Sequence, residues 1–131
     1  MPEKKSILFV DDEPNVLQGL KRMLRPMRHE WVMSFCPSGR EALHVLADGA
    51  FDVVVSDMQM PDMDGAQLLS NVMEQHPQIV RIVLSGYSSK EAAVKSAGLA
   101  HQFLEKPCDL DELKRTIDHA FELRETCETK A

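Results

Sequence analysis

Five short apolar segments, each followed by a segment with helical spacing, constrain this chain most strongly. Residues 7–10 and 51–56 lack the alternation of polar and apolar residues that marks a half-exposed strand, and such runs are typical of strands buried on both faces. Between them, apolar residues recur every three or four positions, and Pro, Gly, Ser and Asp residues mark the helix ends. The predicted strands are residues 7–10, 31–35, 51–56, 79–84 and 102–105. The predicted helices are residues 14–25, 39–46, 66–75 and 90–97, and a last helix from residue 110 to about 123 or beyond.

Strands and helices that alternate in this way form repeated βα units with right-handed crossovers, which produce a parallel sheet. The sequence therefore predicts an α/β fold of the flavodoxin-like doubly wound type, (βα)5, with a five-stranded parallel sheet in the order 2-1-3-4-5. In this order the first and third strands are neighbours, and the direction of the connections reverses between them. Ligands of such sheets bind at that switch point, beyond the carboxyl ends of the strands.

Length and composition fit one globular domain. With 131 residues, 44% hydrophobic and 27% charged, the chain is too short for two ordinary domains and too apolar for disorder. We expect a single domain over residues 1–131, with a core at about 5–125 and a tail or the start of a linker at 126–131. The net charge of −6 argues against direct contact with nucleic acid or an anionic membrane. Without a signal-peptide pattern or an apolar run near the ~20 residues that span a bilayer, a cytoplasmic location is expected.

Acidic residues follow two predicted strands that lie next to each other at the switch point. Asp11 and Asp12 come directly after the first strand, and Asp57 follows the third. Topology therefore brings three carboxylates to one edge of the sheet, where a cation or hydrogen-bond donors must offset their repulsion. Ser85 ends the fourth strand and Lys106 follows the fifth, which adds a hydroxyl and an ammonium group to the same edge.

These groups suit the transfer of a phosphoryl group. Carboxylate oxygens in a partly hydrated pocket are hard ligands that favour Mg²⁺ or Mn²⁺. Asp57 is the natural nucleophile, because a carboxylate can attack phosphorus in line and form an aspartyl phosphate. The metal and Lys106 would offset charge on the equatorial oxygens.

Each of these features also has an ordinary structural explanation when it is taken alone. Acidic residues beside a proline can cap a helix, an aspartate can end a strand, and a serine beside a glycine can form a turn. A lysine before a proline is by default a surface residue. All four features fall on one edge of one sheet with complementary charges, and this coincidence favours the functional interpretation.

Four motifs carry these residues in order along the chain: Phe-Val-Asp-Asp-Glu-Pro, Val-Val-Ser-Asp-Met-Gln-Met-Pro-Asp-Met-Asp-Gly, Val-Leu-Ser-Gly-Tyr and Phe-Leu-Glu-Lys-Pro. They contain, respectively, the acidic pair, Asp57, Ser85 and Lys106. As an ordered set they resemble the receiver domains of two-component response regulators, and the resemblance covers residues 5–125.

The resemblance implies a phosphorylation-dependent switch of bacterial signal transduction, which catalyses only its own phosphoryl uptake and loss. It implies that Asp57 takes the phosphoryl group from a phosphohistidine of a sensor histidine kinase or a histidine phosphotransfer protein. It also implies that Asp12, Asp57 and the backbone carbonyl of Gln59 ligate Mg²⁺, with Asp11 assisting.

A conformational readout is implied as well. In the family, the residue matching Ser85 moves onto the phosphoryl group and the aromatic residue matching Phe103 turns inward, while Lys106 stabilises the phosphoryl oxygens. The surface of the fourth helix, fifth strand and fifth helix then changes, and a homodimer on phosphorylation is possible. Taken alone, Phe103 is equally well explained as a core aromatic residue.

The positions two residues beyond Asp57 and Ser85 flank the path of water to the phosphoryl group in this family. Here they are Gln59 and Tyr87. We expect the Tyr87 ring to shield the group more than the Gln59 amide helps a water to attack it.

The sequence around Ser85 and Phe103 is also similar to that of receivers that precede HD-type output domains. The output domain or downstream protein is not indicated, and the chain is either a single-domain regulator or part of a longer one.

Three other functions compete with this interpretation. A haloacid-dehalogenase-like phosphatase uses a strand-end aspartate but needs a second acid two residues later, where this chain has Gln59. A flavodoxin-like flavin carrier has a Gly-, Ser- and Thr-rich phosphate loop after the first strand, where acidic residues would repel a phosphate. A degenerate receiver that only binds proteins has the same fold, although here every position of the acceptor site is filled.

Overall fold

The computed structural model describes residues 4–58, 60–85, 102–105 and 109–130, and side chains at 4–58, 60–84, 104 and 109–122. The elements are β1 (Lys5–Val10), α1 (Pro14–Met23), a 3-10 helix (Arg25–His29), β2 (Trp31–Cys36), α2 (Gly39–Asp48), β3 (Val53–Ser56), α3 (Gly65–Gln75), β4 (Val80–Ser85), β5 (Gln102–Glu105) and the C-terminal helix (Leu110–Lys130). The five strands form one parallel sheet in the order β2-β1-β3-β4-β5, which confirms the predicted fold and strand order. The fourth predicted helix, residues 90–97, lies outside the described residues.

The register of the two central strands sets the position of the acidic residues. β1 pairs with β3 in parallel, and Val10 at the end of β1 is level with Ser56 at the end of β3. The residues that follow these two strands therefore leave the sheet at the same height. We call this side of the sheet, where the carboxyl ends of the strands lie, the carboxyl edge.

Helices cover both faces of the sheet and bury a separate apolar layer on each. On one face, α1 and the C-terminal helix pack against residues of β1 and β4 such as Phe9 and Ile82. On the other face, α2 and α3 pack against the alternate residues of the same strands, such as Leu8 and Val83. Because successive side chains of a strand point to opposite faces, wholly apolar strands are needed to fill both layers.

Polar side chains fix the starts of three helices. Ser38 caps α2 by accepting a hydrogen bond from a backbone N–H of the first turn at 3.2 Å. Asp109 does the same for the C-terminal helix at 2.8 Å. Asp64 and Gln67 form a reciprocal capping box at the start of α3. Each cap satisfies amide groups that have no partner inside the helix.

Most elements begin or end within one or two residues of the predicted boundary, and two of these differences coincide with specific local contacts. The first helix was expected to continue to residue 25, but α1 ends at Met23 and the chain continues as the 3-10 helix. Pro26 lies in the first turn of this 3-10 helix. A proline is tolerated there because the backbone N–H that it lacks would have no partner within the helix. The third strand begins at Val53 and not at residue 51. The backbone of Asp52 still bonds to Ser6 and Val80, but its carboxylate, and not a backbone carbonyl, accepts from the Ser6 N–H at 2.8 Å.

Arg81 is the one charged residue among the strand residues 80–84, and it is 8% exposed. It lies near the start of β4, and its guanidinium donates to the carbonyl oxygen of Ile79 at 3.2 Å. Burial lowers the pKa of Arg81 below its ordinary value. The carbonyl contact compensates part of the cost of removing this charge from water.

The C-terminal helix is amphipathic. Leu113, Ile117 and Ala120 are fully buried against the sheet, while Asp111 and Glu112 of the first turn face outward. Within the ranges described above, none of the helices is both long enough and apolar enough to cross a membrane.

Candidate functional site

Three carboxylates meet at the carboxyl edge of the sheet. Asp11 and Asp12 follow β1, and Asp57 follows β3. One carboxylate oxygen of each residue lies within 4.8 Å of the corresponding oxygens of the other two. Asp11 is only 2% exposed, whereas Asp12 and Asp57 are half-buried and open toward solvent. We call these three residues the acid cluster, and the structure brings them together as the sequence predicts.

The backbone holds Asp11 in a turn at the end of β1. Its N–H donates to the carbonyl oxygen of Cys36 at 3.1 Å, which extends the pairing of β1 with β2 by one residue. Its carboxylate then accepts from the N–H of Glu13 at 3.0 Å. Glu13 occupies the position before α1, but its side chain makes no capping bond. The capping explanation for these acidic residues therefore accounts for the turn at Asp11 and leaves Asp12 unexplained.

The backbone of Asp57 is held on two sides. Its N–H donates to the carbonyl oxygen of Val10 at 3.0 Å, so that the residue stays in register with β1 after β3 has ended. Its carbonyl oxygen accepts from the hydroxyl of Ser56 at 2.9 Å. These bonds fix the backbone from which the Asp57 carboxylate projects.

Gly65 packs directly against the same segment. A Cβ atom on this residue would lie 2.8 Å from the Cα of Met58 and 3.1 Å from the carbonyl carbon of Asp57. The Gly65 N–H also donates to the carbonyl oxygen of Met58 at 2.9 Å. Only a residue without a side chain fits here, because α3 begins in contact with the backbone of the acid cluster.

An exposed ion pair ties the loop after Asp57 to α2. Asp62 adopts a left-handed backbone conformation with φ of 70°, which a non-glycine residue rarely occupies. Its carboxylate accepts from the guanidinium of Arg40 in the first turn of α2. The hydrogen bond and the opposite charge lower the pKa of Asp62 and raise the pKa of Arg40.

The other predicted site residues are placed only in part. Ser85 ends β4 opposite Glu105 in the sheet register, two residues beyond Val83, which is level with Ser56. The backbone of Ser85 therefore lies at the carboxyl edge. Phe103 lies in β5. Side chains at both positions, and the whole of Gln59, Tyr87 and Lys106, lie outside the described residues.

Ser56 and Gly65 are site residues that the sequence reasoning did not single out. Both lie inside the Asp57 motif, but a serine at the end of an apolar strand and a glycine before a helix have common structural explanations. Their contacts with the Asp57 backbone emerge only once β3 and α3 are placed together. No spacing rule along the chain would have found them.

The acid cluster is suited to binding a small, hard cation. Three carboxylates at this distance repel one another, and a divalent ion would remove that repulsion. Their oxygen atoms are ligands of the kind that Mg²⁺ and Mn²⁺ prefer. With one carboxylate buried and two partly open, such an ion could keep water or phosphoryl oxygens among its ligands.

The doubly wound parallel sheet and the cluster of aspartates at its switch point agree with the receiver-domain resemblance of the motifs. The chain belongs to the response regulator receiver domain family, whose model matches residues 7–118. This confirms the resemblance drawn from the motifs. The chain is thus a receiver domain of two-component signal transduction and not a conventional enzyme.

Curated relatives are much longer than this chain. The regulatory protein AtoC of Escherichia coli strain K12 is 36% identical over 120 residues, which are 90% of this chain and 25% of AtoC. The transcriptional regulatory protein ZraR of Salmonella typhimurium is 35% identical over 130 residues, which are 98% of this chain and 28% of ZraR. The chain spans about a quarter of the length of the curated relatives it matches.

Solved receiver domains share the whole fold. The signal receiver domain of an HD domain-containing protein from Pseudomonas fluorescens Pf-5 superimposes with a TM-score of 0.86 and 30% identity, covering 95% of this chain and 99% of that one. The response regulator TrrA of Thermotoga maritima, solved in complex with Mg²⁺ and BeF, has a TM-score of 0.77 and 28% identity, covering 88% and 98%. The first of these agrees with the similarity to receivers that precede HD-type domains.

Proposed function

We propose that this domain is a phosphorylation-dependent switch in which Asp57 accepts a phosphoryl group from a phosphohistidine. The observation that carries the proposal is the acid cluster, with carboxylate oxygens within 4.8 Å of one another at the switch point of a receiver fold. Asp57 is the member that follows the central strand β3 and is half-buried, so an incoming phosphorus atom can reach it. Asp11 is enclosed and is poorly placed for the same reaction.

The transfer balances as a simple displacement. One carboxylate oxygen of Asp57 forms a bond to phosphorus while the bond between phosphorus and the histidine ring nitrogen breaks. The electron pair of that bond leaves with the ring nitrogen, which takes up a proton. The product is a mixed anhydride of a carboxylic and a phosphoric acid, so water can later hydrolyse it and end the signal.

A divalent ion completes the proposed site. Mg²⁺, or Mn²⁺, would be held by Asp12, Asp57 and the backbone carbonyl of Gln59, with Asp11 assisting. When bound, the ion neutralises negative charge on the oxygens of the phosphoryl group. The carboxylate of Asp11 is buried at the base of the site and is fixed by its hydrogen bond from the Glu13 N–H. This position favours a site that holds a cation over one that holds only water.

The proposed signal leaves the site through the strands next to β3. Lys106 would pair with the phosphoryl oxygens, and the hydroxyl of Ser85 would move onto them. Phe103 would then turn inward and alter the surface made by the fourth predicted helix, β5 and the C-terminal helix. Ser85 and Phe103 lie on adjacent, paired strands, which supports a coupling between them.

The proposed partners follow from the same chemistry. The phosphoryl donor is a sensor histidine kinase or a histidine phosphotransfer protein, and the changed surface contacts a second copy, an output domain or a downstream protein. Since the chain matches only about a quarter of its curated relatives, their activities as transcriptional regulators are not transferred to it. Neither nucleic acid nor a membrane is expected to contact this domain directly, and a cytoplasmic location is proposed.

Intact mass spectrometry tests the proposal. The protein is incubated with Mg²⁺ and phosphoramidate, whose phosphorus–nitrogen bond resembles that of phosphohistidine. The wild type should gain one phosphoryl group and the Asp57→Asn variant none. Asp48→Asn, which changes an exposed aspartate at the end of α2, is the matched control and should be labelled like the wild type. Full labelling of the Asp57→Asn variant, or undiminished labelling of the wild type when Mg²⁺ is chelated before phosphoramidate is added, would refute the proposal.

A further inference from the structure

We infer that Ser56 is a positioning residue for the Asp57 carboxylate. The inference rests on the proposed role of Asp57 as the phosphoryl acceptor and adds a residue to that site. Ser56 is the last residue of β3, and its side chain is 0% exposed. Its hydroxyl donates to the carbonyl oxygen of Asp57 at 2.9 Å.

The packing of the apolar core does not require a hydroxyl group at this position. The three residues before it, Val53, Val54 and Val55, fill the two apolar layers with side chains that carry no polar group. A fully buried hydroxyl lowers stability unless it finds a hydrogen-bond partner. The partner that Ser56 meets is the peptide of the proposed acceptor residue, at the point where the chain turns out of the sheet.

Three contacts hold this peptide from different directions. Val10 accepts from the Asp57 N–H at 3.0 Å, Ser56 donates to the Asp57 carbonyl oxygen, and Gly65 packs against the backbone that follows. The first two contacts fix the peptide groups on either side of the Asp57 Cα. Without the hydroxyl, the Asp57 peptide loses one of these contacts, and the carboxylate would shift relative to its partners in the acid cluster.

Removing the Ser56 hydroxyl should weaken Mg²⁺ binding, and the lost stability of the fold should not account for this change. Groups that orient metal ligands typically change affinity by 10- to 100-fold when they are removed. We expect Ser56→Ala to weaken Mg²⁺ binding by about tenfold, the low end of that range. Phosphoryl uptake at subsaturating Mg²⁺ should slow in the same proportion. Ser56→Thr keeps the hydroxyl and should restore both values.

The test measures two quantities for each variant. The Mg²⁺ dissociation constant is obtained by competition with Mn²⁺, whose binding is followed by the relaxation of water protons, and stability is obtained from the urea unfolding midpoint. Val53→Ala is the matched control, because it truncates a fully buried residue at the other end of β3. It should lower the unfolding midpoint and leave Mg²⁺ affinity unchanged. Should Ser56→Ala not fold, Ser56→Cys has nearly the same shape and a much weaker donor, and should show the same loss of affinity.

Wild-type Mg²⁺ affinity in Ser56→Ala or Ser56→Cys, with an unfolding midpoint lowered as in Val53→Ala, would overturn the inference. Equal loss in Ser56→Thr and Ser56→Ala, with the unfolding midpoint of Ser56→Thr at the wild-type value, would also overturn it, because the hydroxyl would then be irrelevant. Failure of the proposed function is a different result. In that case the wild type takes up no phosphoryl group at Asp57, whatever the order of Mg²⁺ affinities among the variants.

Discussion

Replacing Gly65 with alanine should disturb both the folding of the domain and the acid cluster. The new Cβ atom would lie 2.8 Å from the Cα of Met58, about 0.7 Å short of the ~3.5 Å at which two carbon atoms reach optimal contact. It would also press on the carbonyl group of Asp57. Both neighbours are backbone atoms, so neither can rotate away, and either α3 or the Asp57 peptide must move.

The magnitude follows from two opposing effects. Forcing extra atoms into a packed site typically costs about 1–3 kcal/mol, whereas alanine is favoured over glycine in a helix by about 1 kcal/mol. We therefore expect a net loss of up to about 2 kcal/mol in the free energy of unfolding. A displacement approaching 1 Å at a reacting group can cost up to 100-fold in rate, so phosphoryl uptake should slow by about 10- to 100-fold.

Gly19→Ala is the matched control for this substitution. Gly19 lies inside α1 with nothing within 4 Å of a Cβ atom, so the same chemical change should stabilise the protein by about 0.5–1 kcal/mol and leave uptake unchanged. Urea unfolding gives the stabilities, and labelling by phosphoramidate gives the rates. If Gly65→Ala is as stable and as fast as Gly19→Ala, the contact between Gly65 and the Asp57 backbone does not constrain the site.

Three further predictions concern the loop, the switch and the lifetime of the signal. The ion pair with Arg40 lowers the pKa of Asp62, so the stabilisation by this pair is fully present above the ordinary aspartate pKa of about 3.9 and is lost as the pH falls through the lowered value. The difference in urea unfolding midpoint between the wild type and Asp62→Asn should therefore shrink on acidification, and a constant difference would contradict this. Ser85→Ala should accept phosphate without the amide chemical-shift changes that the wild type shows along β5, and identical changes in both proteins would exclude the coupling. Tyr87→Ala should lose its phosphoryl group several-fold faster than the wild type, a change of about 1 kcal/mol in the barrier to hydrolysis, and Gln59→Ala should have the smaller effect. A slower loss in the Tyr87 variant would show that the ring does not shield the site.

Much of the fold was predictable because the apolar residues of the central strands β1 and β3 are buried on both faces. Their short apolar runs end at acidic residues, and the five strands alternate with segments of helical spacing, so few topologies remain. The same topology rule brought Asp11, Asp12 and Asp57 together before any contact was known. The ends of the elements were predicted less accurately, as at Asp52, whose carboxylate bonds to the Ser6 N–H just before β3 begins.

Other features depend on contacts between segments far apart in sequence. Gly65 looks like an ordinary residue before a helix until α3 is placed against the backbone of Asp57. The pairing of Asp62 with Arg40 joins the loop after Asp57 to the first turn of α2, and no sequence pattern indicates this contact. Ser56 could be assigned to the site only after its hydroxyl was seen to point at a carbonyl group and not into the core.

The site of phosphorylation tests the central claim most directly. Borohydride reduces an acyl phosphate to an alcohol and thereby converts a phosphorylated aspartate to homoserine. We propose to treat the protein with phosphoramidate and Mg²⁺, reduce it, digest it and sequence the peptides by mass spectrometry. We predict homoserine at position 57, formed only when phosphoramidate and Mg²⁺ are both present. Homoserine at Asp11, Asp12 or another acidic residue, with Asp57 unmodified, would contradict the assignment.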